Sequence, residues 1–306
     1  MQAQKMSEPK KITEKYLAGF VDADGTFGIR FVRQNGVFIS RMFLGVCQET
    51  EKDKVIYLIA ESFGGTPYVR VGGQFKKENT AVEYSAKQAR MILSRIAKYL
   101  VCKRHFADFC IDYALTHRGR TYTADEVEAE KTLIANARAV RSYPLPNYPS
   151  RQWLAGYFDG DGCIASKAHQ GKSWVCGVLA ARVEDGRREG QELLLKAFGG
   201  AIYESKEKAS SVWVVNLDPS KAKTFLGHFA KHSIVKRSQV YYALGCAEGG
   251  NYRDGEAIHR SLQLLKAQQQ RLSDPEVNVS FLLKKVRFDV PKNAPTLKRQ
   301  STGEAA

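Results

Sequence analysis

Little in the chain would brace a secreted or metal-stapled domain. Its six cysteines, Cys47, Cys102, Cys110, Cys163, Cys176 and Cys246, are scattered with no C-x-x-C pair. Neither a disulfide framework nor a thiolate zinc site is indicated, and a reducing intracellular compartment is the expectation. The six histidines form no cluster at ligand spacing, which argues against zinc held by nitrogen. No apolar run approaches the roughly 20 residues that a spanning helix needs. The opening stretch, MQAQKMSEPKK, has no apolar core of the kind a secretory signal carries. Acids are short as well: 32 Asp and Glu stand against 47 Lys and Arg, a net charge of +15. That imbalance calls for a polyanionic partner, and with a membrane disfavoured, nucleic acid comes first.

What is present is a globular chain written twice. Its 306 residues, 43% hydrophobic, suffice for two ordinary domains. YLAGFVDADG, Tyr16 to Gly25, returns as WLAGYFDGDG, Trp153 to Gly162. ESFGGTPYV at Glu61–Val69 is answered by KAFGGAIYE at Lys196–Glu204, and LVCKR at Leu100–Arg104 by SIVKR at Ser233–Arg237. Anchors in one order at nearly constant spacing mean two copies of one domain, and the long period excludes a solenoid. We place the first copy at 12–141 and the second at 151–273. Between them lies a proline-bearing linker, SYPLPNYPS at 142–150, which cannot be helical. An extension covers 1–11, and a basic tail, 274–306, belongs to neither copy.

Each copy reads as helix, two strands, helix, two strands, then helical segments. In TFGIRF, Phe27, Ile29 and Phe31 face one way while Thr26, Gly28 and Arg30 face the other. DKVIYLIAESFGG is an amphipathic helix ended by glycine. TADEVEAEKTLIANARAV predicts a further helix before the linker.

Glycine within a helix costs about 1 kcal/mol relative to alanine, so Gly19 and Gly156 need a reason. At helical spacing Gly19 and Ala23 share a face, as do Gly156 and Gly160. Small faces let two backbones approach closely. Crossing the motif helices there would bring Asp24 and Asp161 together. Carboxylates at helix C-termini oppose the macrodipole and each other's ionisation. A hard divalent cation, Mg²⁺ foremost, removes both objections. An EF-hand loop fails, because Phe20 and Phe31, or Tyr157 and Ala168, stand where acids belong. A mere Asp-Gly turn explains one copy better than two.

LAGFVDADG and LAGYFDGDG resemble the motif of the LAGLIDADG homing endonucleases in their single-chain, two-motif form, and the likeness runs from Ile12 to Ser273. The resemblance implies an α+β fold of two pseudo-symmetric αββαββα copies. The motif helices would form the central interface, and antiparallel sheets a saddle over duplex DNA. It implies metal binding by Asp24 and Asp161, with the carbonyls of Ala23 and Gly160 joining, and structural roles for Asp22 and Asp159. Gln48 and, in the second copy, Glu184 would order solvent at the scissile phosphate. Lys103 and Lys236 would stabilise transition-state charge.

The implied activity is Mg²⁺-dependent hydrolysis of both strands of a long, non-palindromic target by a monomer, with Ca²⁺ supporting binding alone. DNA contacts are expected from Thr26, Gly28, Arg30, Arg41 and Arg70 in one copy and Lys167, Lys172, Arg182, Lys206 and Lys208 in the other. A target of roughly 20 bp corresponds to one helical turn per copy. Two alternatives stay open: a maturase of the same fold that binds intron RNA, and a DNA-binding regulator that does not cleave.

Overall fold

The computed structural model describes residues 11–71, 78–140, 144–169, 172–182, 188–205, 210–216, 219–249 and 260–265. Helix α1 (Glu14–Ala23) starts where the Thr13 hydroxyl accepts the Tyr16 N–H, and α6 (Arg151–Asp161) starts in the same way on Ser150 and Trp153. Such caps satisfy amide donors that have no partner within the helix. Both helices are buried along the motif, because each packs against the other as well as against the rest of its own copy.

After α1 the chain forms β1 (Thr26–Gln34), β2 (Val37–Glu49), α2 (Lys54–Phe63), β3 (Tyr68–Arg70), β4 (Asn79–Ser85), α3 (Ala86–Ile96) and α4 (Arg104–Thr116). The second copy repeats the string as β6 (Gly162–His169), β7 (Lys172–Arg182), α7 (Glu189–Phe198), β8 (Ala201–Ser205), β9 (Ser210–Asn216), α8 (Pro219–Phe229) and α9 (Arg237–Gly249). The sheets are antiparallel, in the order β1-β2-β4-β3 and β6-β7-β9-β8. This is the α+β architecture expected from the sequence, with the last helical segment of each copy split in two. Glycines Gly64 and Gly65, and Gly199 and Gly200 in the second copy, end α2 and α7 at positive φ, a conformation that costs any other residue more.

The core lies on the helical face of the sheets. Phe27, Met42, Leu44, Val46, Val82 and Tyr84 pack there against α2, α3 and the motif helices. The opposite face carries Arg30 and Arg41, both exposed. Two elements follow α4: a short strand, β5 (Thr121–Tyr122), added to β2, and α5 (Ala124–Ala139), which opens with a Thr123–Glu126 capping box. The sequence reading had α5 but not β5. No helix among the described residues is long and apolar enough to cross a membrane.

Candidate active site at the crossing of the motif helices

Helices α1 and α6 meet through their glycines. A methyl group at Gly19 would overlap the Trp153 carbonyl oxygen, and one at Gly156 would overlap that of Tyr16. A β-carbon at Gly160 would come within 2.5 Å of Ala23 Cβ and 3.3 Å of Asp24 Oδ2. No larger side chain fits at these positions without parting the helices. The small-residue face inferred from the sequence is the contact surface itself.

Asp24 ends α1 and Asp161 ends α6, and their carboxyl groups lie close enough for each to perturb the other. Desolvation raises the pKa of both. Asp161, which keeps one side open to solvent, is pushed up to about 7, first by desolvation and then by the Asp24 charge. Two carboxylates this close resist ionising together without a counter-charge. A hard divalent cation would supply that counter-charge, with the two carboxyl groups as its oxygen ligands. Among the described residues no group of three or more His, Cys, Asp and Glu could hold a metal. Gln48, near the end of β2, donates from Nε2 to Asp24 Oδ2 at 3.3 Å, while its Oε1 accepts the Glu49 N–H at 3.1 Å. Its counterpart, Glu184, lies outside the described residues.

The two lysines bond to the ends of the motif helices. Lys103 Nζ donates to the carbonyls of Val21 (2.8 Å), Ala23 (3.3 Å) and Gly25 (2.8 Å). Lys236 Nζ donates to those of Phe158 (2.8 Å), Asp159 (2.5 Å) and Gly160 (3.2 Å). Each ammonium therefore caps the electronegative end of its own motif helix. It also occupies the Ala23 or Gly160 carbonyl that the resemblance assigned to metal. Burial lowers the Lys236 pKa, opposed first by Asp159 and then by Asp24.

The first acids of the motif hold the copies together. Asp22 accepts from the Val101 and Lys103 amides, at 2.7 and 2.9 Å, and from Trp153 Nε1 at 2.9 Å across the interface. Asp159 accepts from Ser233 Oγ and the Ile234, Val235 and Lys236 amides, and from the Tyr16 hydroxyl at 2.7 Å across the interface. The expected structural role is met, and two partners were missed. Tyr16 and Trp153 occupy the same place in the repeat, and both are aromatic with a polar tip. That matched pairing was the available signal.

On the outer sheet face Thr26, Arg30 and Arg41 are exposed, and Arg70 joins them from β3. Gly28 is not available: it is buried, with Phe43 and Arg138 of α5 beside it. The edge of β1 is covered by α5, a contact that alternation along the strand could not reveal. Lys167 stands on β6, and Lys172 and Arg182 on β7. Lys206 and Lys208 lie outside the described residues.

The family model described as LAGLIDADG endonuclease matches residues 17–116, the first copy. Among solved structures, I-SmaMI bound to uncleaved DNA target in the presence of calcium ions is 18% identical. That match covers 84% of this chain and 98% of that one, with a TM-score of 0.62. The homing endonuclease I-GzeII in complex with its DNA target is 15% identical, over 88% of this chain and all of that one, with a TM-score of 0.60. Meganuclease I-AabMI bound to uncleaved DNA is 14% identical over 83% and 98%, at 0.59. No curated protein matches the chain. The first copy thus matches the LAGLIDADG endonuclease model, the motif recurs in the second copy, and the chain shares its two-copy fold with these solved structures.

Proposed function

We propose that the protein is a site-specific endonuclease that hydrolyses one phosphodiester in each strand of a long, non-palindromic DNA duplex. The observation that carries this reading is the carboxyl pair, Asp24 with Asp161, assembled by two helices and available to neither copy alone. Solved structures of the same fold hold uncleaved and cleaved DNA, which supports duplex DNA as the substrate. The net charge of +15 suits a polyanion.

A divalent cation, Mg²⁺ in this reading, supplies the charge that activates a water and neutralises a leaving oxygen. Asp24 and Asp161, both ionised, would hold it. Gln48, anchored by the Glu49 amide, orients the Asp24 carboxylate and presents its amide to solvent at the scissile phosphate. Lys103 and Lys236 fix the ends of the motif helices, and so the spacing of the two carboxylates. Their positive charge lies beside the reacting phosphate without having to move there. Positions expected to contact DNA differ between the copies, so the two half-sites differ in sequence.

A cleavage selection on a randomised duplex library in Mg²⁺ tests the proposal. It should return one family of related sites, roughly 20 bp long, cut in both strands. Recovery of no cleaved duplex, or of cuts without sequence preference, would contradict it.

A further inference from the structure

One acid stands in the middle of the surface assigned to DNA. Glu83 lies on β4 opposite Gly45 of β2, and its side chain is on the outer sheet face with those of Arg30 and Arg70. Arg30 Nη1 donates to Glu83 Oε1 at 2.6 Å, and Arg70 Nη2 donates to Oε2 at 3.2 Å. The arginines come from opposite directions. Arg30 sits across from Arg41 on β2, and Arg70 lies level with Asn79 on β4, so Arg30 reaches Glu83 across β2 while Arg70 reaches it from β3 on the other side. Each is also stacked. The Arg30 guanidinium lies 5.6 Å from the Phe43 ring centre, and that of Arg70 lies 5.2 Å from Tyr68, whose hydroxyl accepts from it as well.

Fold stability does not account for this arrangement. Side-chain exposures of 44%, 26% and 37% for Arg30, Glu83 and Arg70 place the network where ion pairs contribute about 0–1 kcal/mol. A carboxylate facing a polyanion also weakens non-specific binding. What it does supply is geometry, since a free arginine samples many rotamers and a guanidinium fixed on a ring and a carboxylate samples few. Each guanidinium keeps N–H groups that Glu83 does not use, and these are the groups that read guanine O6 and N7 from the major groove.

We infer that Glu83 is a specificity-determining positioning residue that holds Arg30 and Arg70 as one preformed fork for two guanines. Because the two arginines share one carboxylate, these guanines lie no more than about two base-pair steps apart, at about 3.4 Å per step. The inference rests on the DNA-binding reading above and refines it for the half-site under the first copy.

The test is a binding selection with the full chain on a randomised duplex in Ca²⁺, run in parallel for the wild type, Glu83→Gln, Arg30→Gln and Arg70→Gln. The wild type should enrich two guanine columns close together in one half-site. Each arginine variant should lose one column. Glu83→Gln should weaken both by about tenfold, within the range set by one bidentate contact, while other columns stay as they were and binding to unselected DNA tightens. A wild type without the paired columns, or a Glu83→Gln variant that keeps them, overturns the role of Glu83 and leaves DNA recognition standing. If the wild type enriches no duplex at all, the DNA-binding reading falls and this inference falls with it.

Discussion

Tyr16 and Trp153 show how much a single polar tip can carry. Each donates across the interface to a buried carboxylate that also tethers its own copy's loop. Tyr16→Phe keeps the ring and deletes the donor, so it should cost about 1–3 kcal/mol in denaturant unfolding; Trp153→Phe deletes the donor and also part of a buried ring, so it should cost at least as much. Lys236→Met keeps the length and removes the cap from three carbonyls. It should destabilise the metal-free protein by about 2 kcal/mol or more, whereas a lysine on an open surface would change stability by about 0.5 kcal/mol at most. Asp161 gives a pH signature. Its folded pKa of about 7 stands above the ordinary 3.8, so between those values the native state keeps a proton that the unfolded chain has released. The stability from this group is fully present below 3.8 and is lost as pH rises through about 7. In chelator, thermal unfolding should therefore show a decline over that window, and Asp161→Asn should flatten it. An identical slope in the variant would show that the shift belongs elsewhere.

The helices bear the clearest imprint of the sequence. Gly19 and Gly156 stood out because glycine is costly inside a helix, and the structure places each against a backbone carbonyl of the other helix. Gly227 in α8 makes the opposite case, with nothing within 4 Å of its would-be β-carbon. Gly19→Val should thus lower stability by about 1–3 kcal/mol or more, while Gly227→Ala should raise it by up to about 1 kcal/mol. If both were neutral in unfolding, close helix contact would not be the reason for the motif glycines. The strands were legible where alternation was clean, as in Phe27, Ile29 and Phe31. Alternation is silent about edges, which is why β5 and the α5 cover over Gly28 went unseen. The lysine caps were hidden for a related reason: a lysine at a matched place in two copies signals a shared role, but a carbonyl acceptor leaves no mark in sequence. Glu83 carried no signal either, since its meaning depends on arginines brought from β1 and β3.

For the molecule as a whole, the doubled sentence in the sequence and the pseudo-symmetry of the fold are one fact, because the paired carboxyl site exists only where the copies meet. The +15 charge sets a second expectation: DNA affinity should fall linearly on a log–log plot against salt, and affinity indifferent to salt would argue against a phosphate-tracking surface. The most direct test of the shared site is cleavage of a selected duplex in Mg²⁺ by the wild type, Asp24→Asn and Asp161→Asn, with binding followed in Ca²⁺. The account predicts double-strand cleavage by the wild type only, and retained binding by all three. Full cleavage by either variant would contradict it.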